Sequence, residues 1–151
     1  MPYFNNSTVN ILLIHIPKTG GTSVTTYFAN KYNIKLNNQS LYGTLGRDKD
    51  ISELTAEESE VKSFIRSRLQ HMKYYTDICK YSNYFNINNN DINIITIVRN
   101  PYERIMSALL YLNLINIEST TDDVFNILKN YLNNQRPDNF NMPQYLFITD
   151  N

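Results

Sequence analysis

At 151 residues the chain has the length of one domain, and its hydrophobic fraction of 42% is enough for a real core. Fourteen Lys and Arg balance fourteen Asp and Glu, so bulk charge offers no grip on nucleic acid or a membrane surface; a polyanion has to be held by a local cluster. The single cysteine, Cys79, excludes an intrachain disulfide framework, suits a reducing compartment and reads as a small buried hydrophobe.

Residues 1–9 are polar, with no basic n-region, and the apolar stretch after them is too short for a signal core or a membrane span. A cytoplasmic location is therefore expected. Asn, Ile, Tyr and Lys are abundant and Trp is absent, the signature of AT-rich coding, as in a microbe or a large virus with such a genome. That bias places Asn on surfaces and carries no mechanism.

Val9 to Ile16 is a near-continuous apolar run, as a parallel strand buried on both faces requires. Pro17 ends it, because proline cannot donate to a sheet ladder. Gly20 and Gly21, two of only four glycines, then allow a tight turn, and Thr22 and Ser23 open a helix reaching about Tyr32 with Val24 and Phe28 on its apolar stripe. Residues 39–50 read as loop. A second helix is signalled by the capping box Thr55-x-x-Glu58 and the stripe Val61, Phe64, Ile65 and Leu69. His71 follows, then a tyrosine-rich stretch from Lys73 to Phe85 and a polar turn.

Ile92 to Val98 is the second convincing strand. Asn100 caps the next helix, Pro101 takes its first position and Glu103 completes the cap. Ile105, Met106, Leu109, Leu110 and Leu112 are expected to form its buried face. A further helix covers Asp122 to Leu132, and Pro143 to Thr149 looks like the approach to another strand.

Two constellations carry chemistry. The first is the strand, lysine-bearing loop and helix start from Pro17 to Ser23. Free N–H groups and the positive end of the helix dipole there form a phosphate cradle. It is not the Walker A arrangement, whose lysine follows the second glycine; here Lys18 precedes both. The second runs from Arg99 through Asn100-Pro101-Tyr102-Glu103-Arg104 to Ser107. Arg99 stands at the C-terminal end of a strand, where open α/β sheets place ligand contacts. Ser107 lies two helical turns on, about 10–12 Å along the axis, within reach of an anion shared with a long guanidinium. Arg104 is either a further part of this motif or a surface residue paired with Glu103 or Glu118.

Lys18-Thr19-Gly20-Gly21-Thr22-Ser23 after an apolar strand resembles the 5′-phosphosulfate loop of sulfotransferases that use 3′-phosphoadenosine 5′-phosphosulfate (PAPS), with the likeness closest to carbohydrate enzymes such as the heparan sulfate 6-O- and 2-O-sulfotransferases. Arg99-Asn100-Pro101-x-x-Arg104 with Ser107 is similar to that family's 3′-phosphate motif, and Pro143-Gln144 matches a dipeptide common in it. The resemblance implies one sulfotransferase-like domain over residues 1–151: a three-layer, P-loop-like α/β fold with a short parallel sheet flanked by helices. It implies PAPS as sulfuryl donor, held by Pro17, Lys18, Thr19, Gly20, Gly21, Thr22, Ser23, Arg99 and Ser107, and a hydroxyl acceptor, a saccharide by preference. Lys18 would stabilise the leaving phosphate. His71-Met72 is similar to the segment in which related enzymes carry a catalytic His, with Gln70 where they have glycine, which makes His71 the candidate base. The other histidine, His15, reads as a hydrogen-bonded residue at a strand end. No ligand-spaced His, Cys, Asp and Glu set suggests a metal.

The family domain usually continues beyond the Pro-Gln segment with a strand, a helix and a basic loop, so the resemblance also implies a domain truncated at its C-terminus. A truncated, non-catalytic nucleotide-binding pseudoenzyme is the alternative. A nucleotide kinase is disfavoured because Arg99, not a magnesium-holding acid, follows the second strand. Oligomeric state is not legible.

Overall fold

The computed structural model describes residues 2–35, 71–80, 87–88, 90–134 and 140–150. The helix expected over residues 55–69 lies outside them. Among the described residues three strands form one sheet in the order β1 (Tyr3–Asn5), β2 (Asn10–Ile14), β3 (Asn93–Thr96). Helices follow as α1 (Gly21–Lys31), α2 (Pro101–Tyr111) and α3 (Thr121–Asn133), with a π-helical turn at Tyr74–Cys79 and a 3₁₀ turn at Gln144–Phe147.

β2 carries the sheet because both its faces are apolar. Ile11 and Leu13 point to one side, where they join Phe4 and meet Val24 and Phe28 of α1 and its C-cap Tyr32. Leu12 and Ile14, continued by Ile16, point to the other, where Met72, Ile78 and Phe147 cover them. Successive side chains alternate across a strand, so the unbroken apolar run feeds two cores at once. Full burial of each Leu or Ile stabilises the fold by about 2 kcal/mol relative to exposure. A third core, Ala108, Leu109, Ile115, Tyr131 and Phe140, joins α2 to α3.

The sheet is mixed, not wholly parallel. β3 pairs parallel to β2, Ile11 opposite Asn93 through Ile14 opposite Thr96. β1 pairs antiparallel, Tyr3 opposite Leu12 and Asn5 opposite Asn10. The hairpin closes because the Asn6 carboxamide oxygen accepts the N–H groups of Thr8 and Val9 at 2.8 and 3.1 Å, fastening the turn locally. Polar Met1 to Val9 concealed this strand, since Tyr3 and Asn5 flank a single core residue, Phe4.

Other departures have equally local causes. Pro143 to Thr149 holds the 3₁₀ turn Gln144–Phe147 rather than approaching a strand, and Phe147 is the fully buried residue of its apolar run. Cys79 is exposed, at the end of the π-helical turn, not buried. On α2 the buried residues are Arg104, Ala108 and Leu109, while Met106 and Leu110 face outward at 37% and 50% exposure. Asn100 does cap α2, accepting from the N–H of Tyr102 and Glu103, with Pro101 at the first position. Glu103 does not return to that cap; it pairs with Arg99 at 3.2 Å. α3 begins with a full capping box between Thr120 and Asp123.

Candidate active site

The parallel register decides where the site lies. With Ile14 level with Thr96, the loops leaving β2 and β3 emerge side by side at the same sheet edge. The Arg99 guanidinium reaches the Lys18 carbonyl across them at 3.5 Å. A cavity of about 400 Å³ opens at this edge, lined by His15, Lys18, Gly20, Gly21, Thr22, His71, Arg99, Ser107, Tyr111 and Phe140. Its size is ordinary for a small-ligand site.

The loop after β2 is shaped by its backbone. Gly20 sits at φ 92°, open on the side where a Cβ would be, and Lys18 adopts φ 64°, a left-handed conformation that costs a side-chain-bearing residue about 1–2 kcal/mol. Gly21 is close against the His15 imidazole: a Cβ there would overlap the ring. Thr19 turns inward and its hydroxyl donates to the Ile16 carbonyl at 2.9 Å, while Pro17 is buried and Ser23 is exposed outside the cavity. These three shape the loop or flank it rather than line it. No side chain caps the start of α1, whereas Asn100 and Thr120 cap α2 and α3. Gly20, Gly21 and Thr22 line the cavity, and the start of α1 brings first-turn N–H groups that no side chain caps.

Lys18 extends over the Tyr111 ring, its ammonium 4.0 Å from the centroid. Tyr111 stacks on Phe140 with centroids 5.7 Å apart and planes 8° from parallel. Phe140 presents its ring to His71 at 5.1 Å and 89°, and His71 meets His15 at 5.1 Å and 86°. Lysine, two aromatics and both histidines thus form one continuous wall. His15 is an 8%-exposed member of it, beyond its expected role at the strand end. His71 is half-buried and lines the same cavity as the loop after β2.

Helix α2 adds Ser107 as well as Tyr111 to the lining, and Arg99 stands just before it. Arg99 donates Nε to Glu103, and its backbone is held by the carboxamide of Gln144. Ser107 lies further along the same helix and lines the same cavity. Arg104 is not a surface residue and pairs with neither Glu103 nor Glu118. It is 3% exposed and donates to three backbone carbonyls, those of Pro17, Met142 and Phe140. Burial lowers its pKa from the ordinary arginine value, an effect opposed by Tyr131, and the guanidinium stays charged.

Tyr111 and Phe140 went unnoticed in the sequence. Tyr111 was within reach of pattern reasoning, since it stands four residues after Ser107 on one helix face. Phe140 carried no local signal. The lining brings backbone amides, a lysine, an arginine and a hydroxyl to one cavity, groups suited to anions, with histidine beside two aromatic rings. Among the described residues no group of three or more His, Cys, Asp or Glu could hold a metal ion, and no helix is long and apolar enough to cross a membrane.

Residues 1–145 match the model of the sulfotransferase family. The chain belongs to the sulfotransferase family. The match spans the 17–23 loop, His71, the Arg99–Ser107 run and Gln144, so all the residues lining the cavity lie within it. Transfer of a sulfuryl group is the activity this membership assigns, with a nucleotide donor and an acceptor as partners. No curated protein and no solved structure gives a significant match.

Proposed function

We propose that this sulfotransferase takes its sulfuryl group from PAPS and passes it to a hydroxyl, that of a saccharide by preference. The observation that carries the reading is the convergence of two separately encoded anion motifs on one cavity. Lys18, Gly20, Gly21 and Thr22 of the 17–23 loop share its lining with Arg99 and Ser107, which suits a nucleotide phosphorylated at both its 5′ and 3′ ends. Strand, loop and helix in this order also support kinship with P-loop-like folds.

PAPS would supply the activated sulfuryl group and leave as adenosine 3′,5′-bisphosphate. The α1 amides of residues 20–23 and the Lys18 ammonium hold the 5′ end, and the ammonium meets the charge that builds on the leaving phosphate. Arg99 and Ser107 hold the 3′-phosphate. The His71 imidazole takes the proton of the acceptor hydroxyl. The Tyr111–Phe140 wall keeps water from that imidazole and leaves Lys18 a resting place before the anion arrives.

The test is transfer of labelled sulfuryl from PAPS to a panel of saccharides by the wild type, Lys18→Ala and His71→Ala. Wild-type transfer is expected to fall roughly 10²–10³-fold in kcat without Lys18, the usual cost of removing one preorganised donor. His71→Ala is expected to lose about 10²–10⁴-fold. Unchanged turnover in His71→Ala removes it as base, and nucleotide binding without transfer to any hydroxyl leaves a non-catalytic nucleotide-binding module.

A further inference from the structure

Arg104 carries no ligand contact in the reading above, yet it is among the most deeply buried polar side chains described. Its Nε donates to the Pro17 carbonyl at 2.8 Å, its Nη1 to Met142 at 2.8 Å and its Nη2 to Phe140 at 3.0 Å. A desolvated guanidinium is costly unless its donors are met, and a planar fork meets three carbonyls held in fixed directions better than any other side chain. The partners are not neighbours in sequence: Pro17 begins the phosphate loop, while Phe140 and Met142 belong to the segment that walls His71.

We infer that Arg104 is a positioning residue of the site: from α2 it fixes the phosphate loop and the Phe140 wall to each other, so that the 5′ anion cradle and the His71 surroundings form as one unit. The three bonds explain the geometry on both sides. Pro17 is held by its carbonyl directly before Lys18, whose backbone is in the left-handed region and needs an anchored predecessor. Phe140 is held by its carbonyl while its ring contacts His71 and Tyr111. Helix α2 keeps its Asn100 cap without these bonds, and Ile115 and Tyr131 still pack in the Ala108–Leu109 core. Removing the guanidinium should therefore loosen the 5′ side more than the 3′ side.

Arg104→Lys keeps the stem and the charge but cannot span three carbonyls. The chain has only two histidines, so their ring resonances report the wall directly. In the ligand-free variant the His71 resonances are expected to shift as Phe140 moves against it; a histidine spectrum identical to wild type overturns the inference. This arm does not depend on the nucleotide. The second arm rests on the proposed PAPS reading and compares adenosine 3′,5′-bisphosphate with 3′-AMP. Affinity for the bisphosphate is expected to fall about tenfold, with 3′-AMP changed less than about threefold. Equal losses for both ligands, or none, overturn it. Binding of neither ligand by the wild type would defeat the PAPS reading and leave the histidine spectrum as judge. Should Arg104→Lys not fold, Arg104→Ala is refolded with millimolar guanidinium: recovery of the wild-type histidine spectrum supports the inference, and no recovery overturns it.

Discussion

Gln144 grips the main chain of Arg99 from both directions: its Nε2 donates to the Arg99 carbonyl at 2.7 Å, and its Oε1 accepts from the Arg99 N–H at 2.9 Å. The two residues are 45 apart in sequence. One side chain thus fixes the point where the chain turns from β3 into α2 and from which the Arg99 guanidinium is aimed. Gln144→Ala is expected to lower stability by about 1–2 kcal/mol, the net worth of two partly exposed hydrogen bonds. Gln144→Glu should be worse for ligand than for folding, because a carboxylate cannot donate to the Arg99 carbonyl and adds negative charge beside the proposed 3′-phosphate site. Urea midpoints and calorimetric affinities for adenosine 3′,5′-bisphosphate separate the two effects.

Glu103 holds Arg99 in an exposed ion pair, with side chains 40% and 64% accessible. Such pairs contribute roughly 0–1 kcal/mol to stability. Glu103→Ala should leave the thermal midpoint nearly unchanged while tightening anion binding several-fold at low salt, since it frees the guanidinium and removes a competing carboxylate. The gain should shrink as ionic strength rises. Titration of the bisphosphate at low and high salt checks both statements.

The contact between Gly21 and His15 predicts a specific coupling. Gly21→Ala places a methyl into the imidazole, and overpacking of this kind costs about 1–3 kcal/mol. Shrinking the obstacle should restore part of that loss, so His15→Ala combined with Gly21→Ala is expected to be less destabilised than the sum of the singles. A double-mutant cycle in urea measures it. Gly20→Ala offers the contrast: nothing crowds a Cβ there, but φ 92° strains it, and no His15 substitution should relieve it.

Asp123 supplies an acid-sensitive support at the start of α3. Its side chain accepts from the Thr120 hydroxyl at 2.6 Å and from the Thr120 N–H at 3.2 Å, and these bonds hold its pKa below the ordinary value of 3.8. A depressed folded-state pKa adds stability above the unfolded value and loses it as pH falls through the folded one. Stability should therefore decline below about pH 4 through this group. Thr120→Val is expected to flatten that limb and leave the neutral-pH slope alone, as read from urea midpoints across pH.

β2 and the starts of α1 and α2 were readable because each rests on local chemistry: an apolar run, a glycine pair and an Asn-Pro helix start. Three of the helices and both parallel strands fell within a few residues of where periodicity and caps placed them. What stayed hidden depends on distant partners. β1 offers one core residue between polar neighbours, and its pairing becomes visible only against Leu12 and Ile11. Arg104 looks like any charged helix residue until Pro17 and Phe140 are brought to it from 87 and 36 positions away. Phe140 and the His15–His71 contact belong to the same class, long-range packing with no periodic trace. Met106 and Leu110 show the converse: apolar residues on a helix whose buried face holds an arginine.

The most direct measurement is calorimetric binding of adenosine 3′,5′-bisphosphate against ADP, without metal, to the wild type and Arg99→Ala. The account predicts a clear preference for the 3′-phosphorylated ligand in the wild type, lost when Arg99 is removed. Binding of neither nucleotide, or a preference that survives Arg99→Ala, would contradict it.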